Sequence, residues 1–179
     1  MTLELIELKV DSKDRKIFER INEEAFPDSE RMSFDEFFDF ASDTNTDVLG
    51  IYDDGKPVGF VVVLKNEKCG YIYYLAIDCH MRSKGYGGAT IKKLMEVYSK
   101  LQLVLDFEVI DENAENNEQR IRRKKFYLRN GFHETGNYTI LSNERFEVVC
   151  NRGELCKEEF KDLIHIIHKH RLEFPDVLM

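Results

Sequence analysis

An α/β domain built on a mixed, mostly antiparallel sheet of about six to seven strands is the fold class this sequence predicts, on three observations. Two apolar runs, Val48 to Tyr52 and Val58 to Leu64, are joined by Asp53-Asp54-Gly55-Lys56, the turn chemistry of a β-hairpin. A third run, Tyr71 to Ile77, gives way to a glycine-rich loop and then to helical spacing through Ile91, Leu94, Met95 and Tyr98. Segments of helical period also stand before and after these strands, so helices flank the sheet.

The flanking elements follow in order. Leu3, Leu5 and Ile6 to Leu8 read as an edge strand, and Asp11 or Ser12 is the expected cap of a helix carrying Ile17, Phe18, Ile21 and Ala25, stopped by Pro27. Ser33 and Glu36 have the spacing of a capping box for a second helix with Phe34, Phe37, Phe38 and Ala41 as its apolar stripe. Glu23, Glu24, Asp28 and Glu30 gather where the two helices meet, which reads first as a solvated helix end. Beyond the third helix, Leu103 to Val109 is a strand with Leu105, Phe107 and Val109 on one face and Asp106 and Glu108 on the other. A polar loop from Ile110 leads into a cationic helix, Glu118 to Arg129, closed by Asn130-Gly131. Thr139 to Leu141 and Phe146 to Cys150 flank the turn Ser142-Asn143-Glu144 as a last hairpin. Leu155, Phe160, Leu163, Ile164 and Ile167 then form an amphipathic helix within a C-terminal extension, residues 154–179, that packs on the sheet or on a second copy of the chain as a homodimer.

Composition narrows the classes. The 179 residues suffice for one domain with a substantial core, and no linker-like stretch divides them. No apolar run approaches the ~20 residues of a membrane span, and the first residues lack a signal peptide's apolar centre, so a soluble cytoplasmic protein with no membrane partner is expected. Cys69, Cys79, Cys150 and Cys156 show neither a CxxC pair nor zinc spacing and read as reduced thiols. His165, His168 and His170 read as ordinary helix histidines, so no metal is expected. A net charge of −8 argues against a general nucleic-acid binder and favours cationic small molecules or basic peptides.

The stretch Arg82-Ser83-Lys84-Gly85-Tyr86-Gly87-Gly88-Ala89 carries the chemistry. A helix start leaves backbone N–H groups without partners, and glycines let a bulky anion reach them, so the loop suits a phosphate or pyrophosphate. Arg82 and Lys84 add positive charge there. The spacing Arg82-x-x-Gly85-x-Gly87 after Leu75-Ala76-Ile77-Asp78 resembles the acetyl-coenzyme A motif of the GNAT superfamily of N-acetyltransferases. Cys79 stands where that family often has proline, and Ser83 where it often has glycine. A second hallmark, a tyrosine four residues before Gly-Phe, is matched by Tyr127 with Gly131-Phe132.

The resemblance implies a GNAT-like three-layer fold. It also implies that the loop amides of residues 82–89 hold the pyrophosphate of acetyl-coenzyme A and that the strand at Leu75, Ala76 and Ile77 pairs with the pantetheine arm. The family places its acceptor pocket beside the first helix pair, where the carboxylates around Phe26-Pro27 would attract an amine. Arg120 occupies the place where many relatives carry an asparagine near pantetheine. The implied reaction is acetyl transfer to a primary amine by direct attack in a ternary complex.

In that reaction the oxyanion needs a donor, for which the main-chain N–H near Ala76 or Ile77 is suited. The leaving thiolate needs an acid, and Tyr127, a phenol of ordinary pKa about 10, is the candidate. An alkylammonium of pKa ~10.4 must lose a proton first, at a cost of about 4 to 5 kcal/mol at pH 7. Glu108 is the first choice of base and Glu24 the second. Two other readings compete. A dinucleotide-binding oxidoreductase is suggested by Gly85-x-Gly87 with Asp106 further on, but the loop starts too far after its strand and Thr90 stands at the third glycine. A non-catalytic acyl-coenzyme A binding module keeps the loop and dispenses with turnover.

Overall fold

The computed structural model describes residues 2–28, 30–141 and 144–170. Its elements run β1 (Leu3–Glu7), α1 (Arg15–Ala25), α2 (Phe34–Asp43), β2 (Thr46–Asp53), β3 (Lys56–Lys65), β4 (Cys69–Ile77), α3 (Tyr86–Val97), β5 (Gln102–Glu108), α4 (Asn117–Arg129), β6 (His133–Leu141), β7 (Glu144–Cys150) and α5 (Lys157–His170). The strands form one seven-stranded sheet in the order β1-β2-β3-β4-β5-β7-β6. The β1–β2, β2–β3, β5–β7 and β6–β7 pairs are antiparallel and β4–β5 is parallel, so the sheet is mixed and mostly antiparallel as expected. The expected turn at Ser142-Asn143 and the tail after His170 lie outside the described residues.

Two compact units make up the chain: Met1–Leu64 with Ile72–Val97, and Lys65–Tyr71 with Tyr98–Met179, so that β4 contributes to both. In the first, the hairpin turns through Asp54 (φ 50°) and Gly55 (φ 70°), the two positive-φ positions of a type I′ turn. Helix α2 opens on the expected capping box: Ser33 Oγ accepts from the Glu36 N–H at 3.2 Å, and the Ser33 N–H donates to the Glu36 carboxylate at 2.6 Å. Aromatic edges lock α1 and α2 onto the sheet, with Phe34 against Phe60 (5.1 Å), Phe37 against Tyr74 (4.8 Å) and Phe26 against Tyr74 (4.9 Å). Phe18, Phe34, Phe37 and Phe60 are fully buried core residues.

Three local expectations need correction. Helix α1 starts at Arg15 behind Asp14, and neither Asp11 nor Ser12 caps it, because the Ser12 hydroxyl is turned back to accept from the Lys9 N–H. The inner stripe of α2 is Phe34, Phe37 and Phe40, since these sit three apart on the core face and leave Phe38 at its margin. Strand β6 begins at His133, six residues before the apolar run, because a register shift between Glu134 and Asn137, with Gly136 at φ 71°, breaks the alternation that marks a strand.

In the second unit, β5 pairs with β4 through Cys69↔Gln102, Gly70↔Leu103 and Tyr71↔Val104, and with β7 along Val104 to Glu108. The register puts Phe107 and Glu147 on one face and Asp106, Val148 and Asn137 on the other. Helix α4 meets the Phe107 face through Tyr127 and through Lys124, whose ammonium donates to Glu147 at 2.8 Å. Helix α5 buries Phe160, Leu163, Ile164 and Ile167, with Phe160 edge-on to Tyr71, so it packs on this unit's own sheet, and its His165 and His170 point outward.

Candidate active site

The bend after β4 starts at Asp78, whose N–H remains bonded to the Val58 carbonyl (2.9 Å), and a single 3-10 turn spans Cys79–Met81. The chain then swings through Ser83 (φ 63°) and Gly85 (φ 88°) before α3 begins at Tyr86. Left-handed residues alternating with ordinary ones turn successive N–H groups toward one side, the geometry of an anion-binding concavity. The left-handed φ explains why glycine is common at the position of Ser83, where a β-carbon is strained. No group lies within 4 Å of where a Gly85 β-carbon would stand.

The first backbone bond of the helix runs from the Ala89 N–H to the Gly85 carbonyl at 3.1 Å. Among the described residues, no acceptor in the chain takes the N–H groups of Ser83 to Gly88. These open amides, on exposed residues from Ser83 to Gly85 and half-buried ones from Tyr86 to Gly88 at the positive end of a helix, fit a diphosphate. Tyr86 anchors the helix start, its hydroxyl donating to Asp53 Oδ2 at 2.8 Å, while the same carboxylate accepts from the Thr2 N–H. Arg82 lies back along the chain, its Nε donating to the Ile77 carbonyl at 3.4 Å, and Lys84 stands over Met81 Sδ. The β4 segment before the bend alternates, with Ala76 buried and Leu75 and Ile77 part-exposed.

Asp78 is nearly buried and serves as a junction. Its carboxylate accepts from Arg20 Nη2 at 2.6 Å and from the His80 N–H at 2.9 Å. Arg20 also holds Glu24 at 3.0 Å, and Glu24 accepts from the Cys79 thiol at 3.1 Å. The Cys79 thiol and the Arg20 guanidinium therefore hold the Glu24 carboxyl below its ordinary range. Asp78, Cys79 and His80 bring potential metal-ligand atoms within 4.8 Å of one another, but the Arg20 guanidinium already sits on that carboxylate.

At Asp78 burial pushes the carboxyl up, but the Arg20 and His80 bonds and charges outweigh it and the net shift is downward. A carboxylate depressed in the folded state stabilises the protein above its unfolded pKa of about 3.9, and that stabilisation is lost as pH falls through the lower folded value. Arg20→Gln should therefore melt below wild type at pH 7, with the gap closing below about pH 4. A gap unchanged from pH 7 to pH 3 in thermal melts would remove this role for Arg20.

The second unit explains the Tyr127-x-x-x-Gly131-Phe132 spacing physically. The Phe132 N–H bonds to the Tyr127 carbonyl (3.2 Å) and the Gly131 N–H to the Leu128 carbonyl (3.3 Å), with Gly131 at φ 94°. That is a Schellman stop, and its usual apolar contact is the Phe132 ring edge-on to Tyr127 at 5.8 Å. The Tyr127 ring also stacks on Phe107, 5.6 Å away and within 6° of parallel. Burial, reinforced by the nearby Asp106 and opposed by Arg123, pushes the phenol up to about 12. Tyr127 is thus a rigid, protonated O–H.

Glu108 forms an ion pair with Arg123 of α4. Arg120, 8% exposed, donates to Asn116 Oδ1 (2.8 Å) and the Val109 carbonyl (3.0 Å) and pairs with Glu144, clamping the start of α4 to β5 and β7. Asp106 takes the Tyr71 hydroxyl on Oδ1 at 2.8 Å and the Thr139 hydroxyl on Oδ2 at 2.5 Å. In the sequence Asp106 is marked by the strand alternation, as part of a polar face, and by its distance from Gly85-x-Gly87 in the dinucleotide reading, and neither signal points to its two hydroxyl partners.

Comparison with known proteins agrees with this geometry. The model of the acetyltransferase (GNAT) family matches residues 15–132. A GNAT-family protein of Bacteroides thetaiotaomicron superposes with a TM-score of 0.71 at 22% identity, over 97% of this chain and 98% of that one. An aminoglycoside 6′-N-acetyltransferase complexed with coenzyme A gives 0.62 at 14% identity, over 84% and 96%. A chimeric spermidine N-acetyltransferase from Vibrio cholerae gives 0.61 at 14% identity, over 90% and 99%. These likenesses establish the fold alone. The comparison with curated proteins returned no match. None of the described helices is long and apolar enough to cross a membrane. By its family model and its fold, the chain belongs to the acetyltransferase (GNAT) family.

Proposed function

We propose that this protein is an N-acetyltransferase that binds acetyl-coenzyme A at residues 82–89 and passes its acetyl group to a primary amine by direct attack, as one acetyltransferase domain. The observation that carries the reading is the run of open amides from Ser83 to Gly88 at the head of α3. Diphosphate charge is neutralised there by N–H dipoles and a helix end, and the β4 segment Leu75 to Ile77 supplies main-chain partners for the pantetheine arm. A β4 amide near Ala76 stabilises the oxyanion. Tyr127 protonates the leaving thiolate, and its raised pKa ensures that it carries a proton at every physiological pH.

Amine acceptors fit the acidic balance of the chain, and aminoglycoside and spermidine enzymes are among the proteins of like fold. Polyamines and aminoglycosides therefore head the panel to test. Removal of the acceptor's proton falls to a carboxylate, and Glu108 and Glu24 each carry an arginine partner against which they would have to take it up.

An amine panel monitored by thiol release tests the reading. Wild type should release coenzyme A in an amine-dependent manner, and Tyr127→Phe should lower kcat about 10²-fold or more with little change in acetyl-coenzyme A affinity. A wild type that releases no coenzyme A with any amine would sink the proposal in favour of a non-catalytic binding module. An unchanged Tyr127→Phe rate would remove the acid role.

A further inference from the structure

Three carboxylates compete for the proton of the incoming ammonium, and the structure separates them by their partners. Glu24 carries Arg20 and Glu108 carries Arg123. Asp106 is held by two hydroxyls, Tyr71 from β4 and Thr139 from β6, and by no cation among the described residues. A carboxylate with a guanidinium on it gains little from a proton, because protonation forfeits the ion pair. One held by neutral hydroxyls forfeits much less.

We infer that Asp106 is the general base of the acetyl transfer, positioned by the Tyr71 and Thr139 hydroxyls. This rests on the acetyltransferase reading and deepens it. Each Asp106 oxygen accepts one hydroxyl, and with the residue's own main-chain N–H as a third donor one lone pair remains for the ammonium. In the step, the ammonium N–H bond breaks as an O–H bond forms on Asp106, and the freed nitrogen lone pair attacks the thioester carbonyl. The C–S bond then breaks as the carbonyl re-forms, its electrons leave on sulfur, and the thiolate takes its proton from Tyr127, while the acylated nitrogen sheds its second proton to solvent and solvent returns one to the tyrosinate.

The placement suits this division. Asp106 follows Val104, the last β5 residue paired with β4, by two positions on the same face, and it retains partial exposure. Phe107, on which Tyr127 stacks, projects to the opposite face of the same strand, so base and acid serve opposite sides of β5. The groups facing Asp106 are Tyr71 and Thr139, with Glu108 two residues along and neutralised by Arg123, while Tyr127 of α4 feels its charge only through space, from the opposite face. Burial pushes the Asp106 carboxyl upward against its two hydroxyl bonds and one from its own main-chain N–H, toward the pH at which a base works best.

The test uses the full chain and whichever alkylamine of the panel gives turnover. The base must be unprotonated to act, so wild-type kcat/KM should rise with pH through a limb above the ordinary aspartate range. Asp106→Asn should lower kcat/KM about 10²-fold or more, abolish that limb and leave acetyl-coenzyme A affinity unchanged by calorimetry. Tyr71→Phe and Thr139→Val should each shift the limb while retaining most of the rate, a displacement that a purely structural role would not produce. Carbon-13 spectra of aspartate carboxyls should show one high titration that disappears in Asp106→Asn. An unchanged limb and rate in a folded Asp106→Asn protein overturns the assignment and leaves the transferase reading standing. A wild type inert to every amine brings down both.

Discussion

Gly87→Glu is expected to lower acetyl-coenzyme A affinity at least about 100-fold, some 2.7 kcal/mol, while leaving thermal stability equal or higher. The opposite directions come from one location. Gly87 lies in the first turn of α3, where glutamate has better helix propensity than glycine and its charge favours the positive end of the helix. The same carboxylate stands where the amides of Ser83 to Gly88 await an anion, so it repels the diphosphate and fills its space. Calorimetry with acetyl-coenzyme A beside a thermal melt decides the matter. Undiminished affinity would place the cofactor elsewhere, and a melt lowered by several degrees would make any loss of binding uninformative about the loop.

Gly59→Ala should cost about 3 kcal/mol of stability, a drop in melting temperature of roughly 6 to 12 °C for a chain of this size. A β-carbon there would lie 2.3 Å from the Ala76 carbonyl oxygen, 3.0 Å from Ile77 Cδ1 and 3.2 Å from Ile77 Cα. The first and third obstacles are backbone, which cannot rotate away as a side chain can. Relief requires β3 and β4 to move apart at the residues proposed to face the thioester, so the folded fraction should also bind acetyl-coenzyme A more weakly. A variant that melts within 1 °C of wild type would mean that β4 yields at Ala76 without cost.

Sequence legibility followed the range of the interactions. The Asp54-Gly55 turn, the Ser33/Glu36 box and the Gly131 stop are each made by residues a few positions apart, so their chemistry is written in consecutive letters. The strand of β6 was misjudged at its start because its pairing is with β7 and its residues are mostly polar; only the partner strand reveals it. The Asp11 or Ser12 cap failed for a related reason, since a short hydroxyl has several local N–H groups to choose from.

What the sequence by itself determined is the bend: its glycines, its cations and the strand and helix on either side, together with the tyrosine that ends α4. What only the tertiary structure decided is the state of the carboxylates. Arg20 reaches Asp78 across 58 positions, and Tyr71 and Thr139 reach Asp106 across 35 and 33. Whether a carboxylate is a held anion or an available base depends on which of these distant groups arrives beside it, because proton affinity is set by the charges, hydrogen bonds and solvent within a few ångströms of the oxygen.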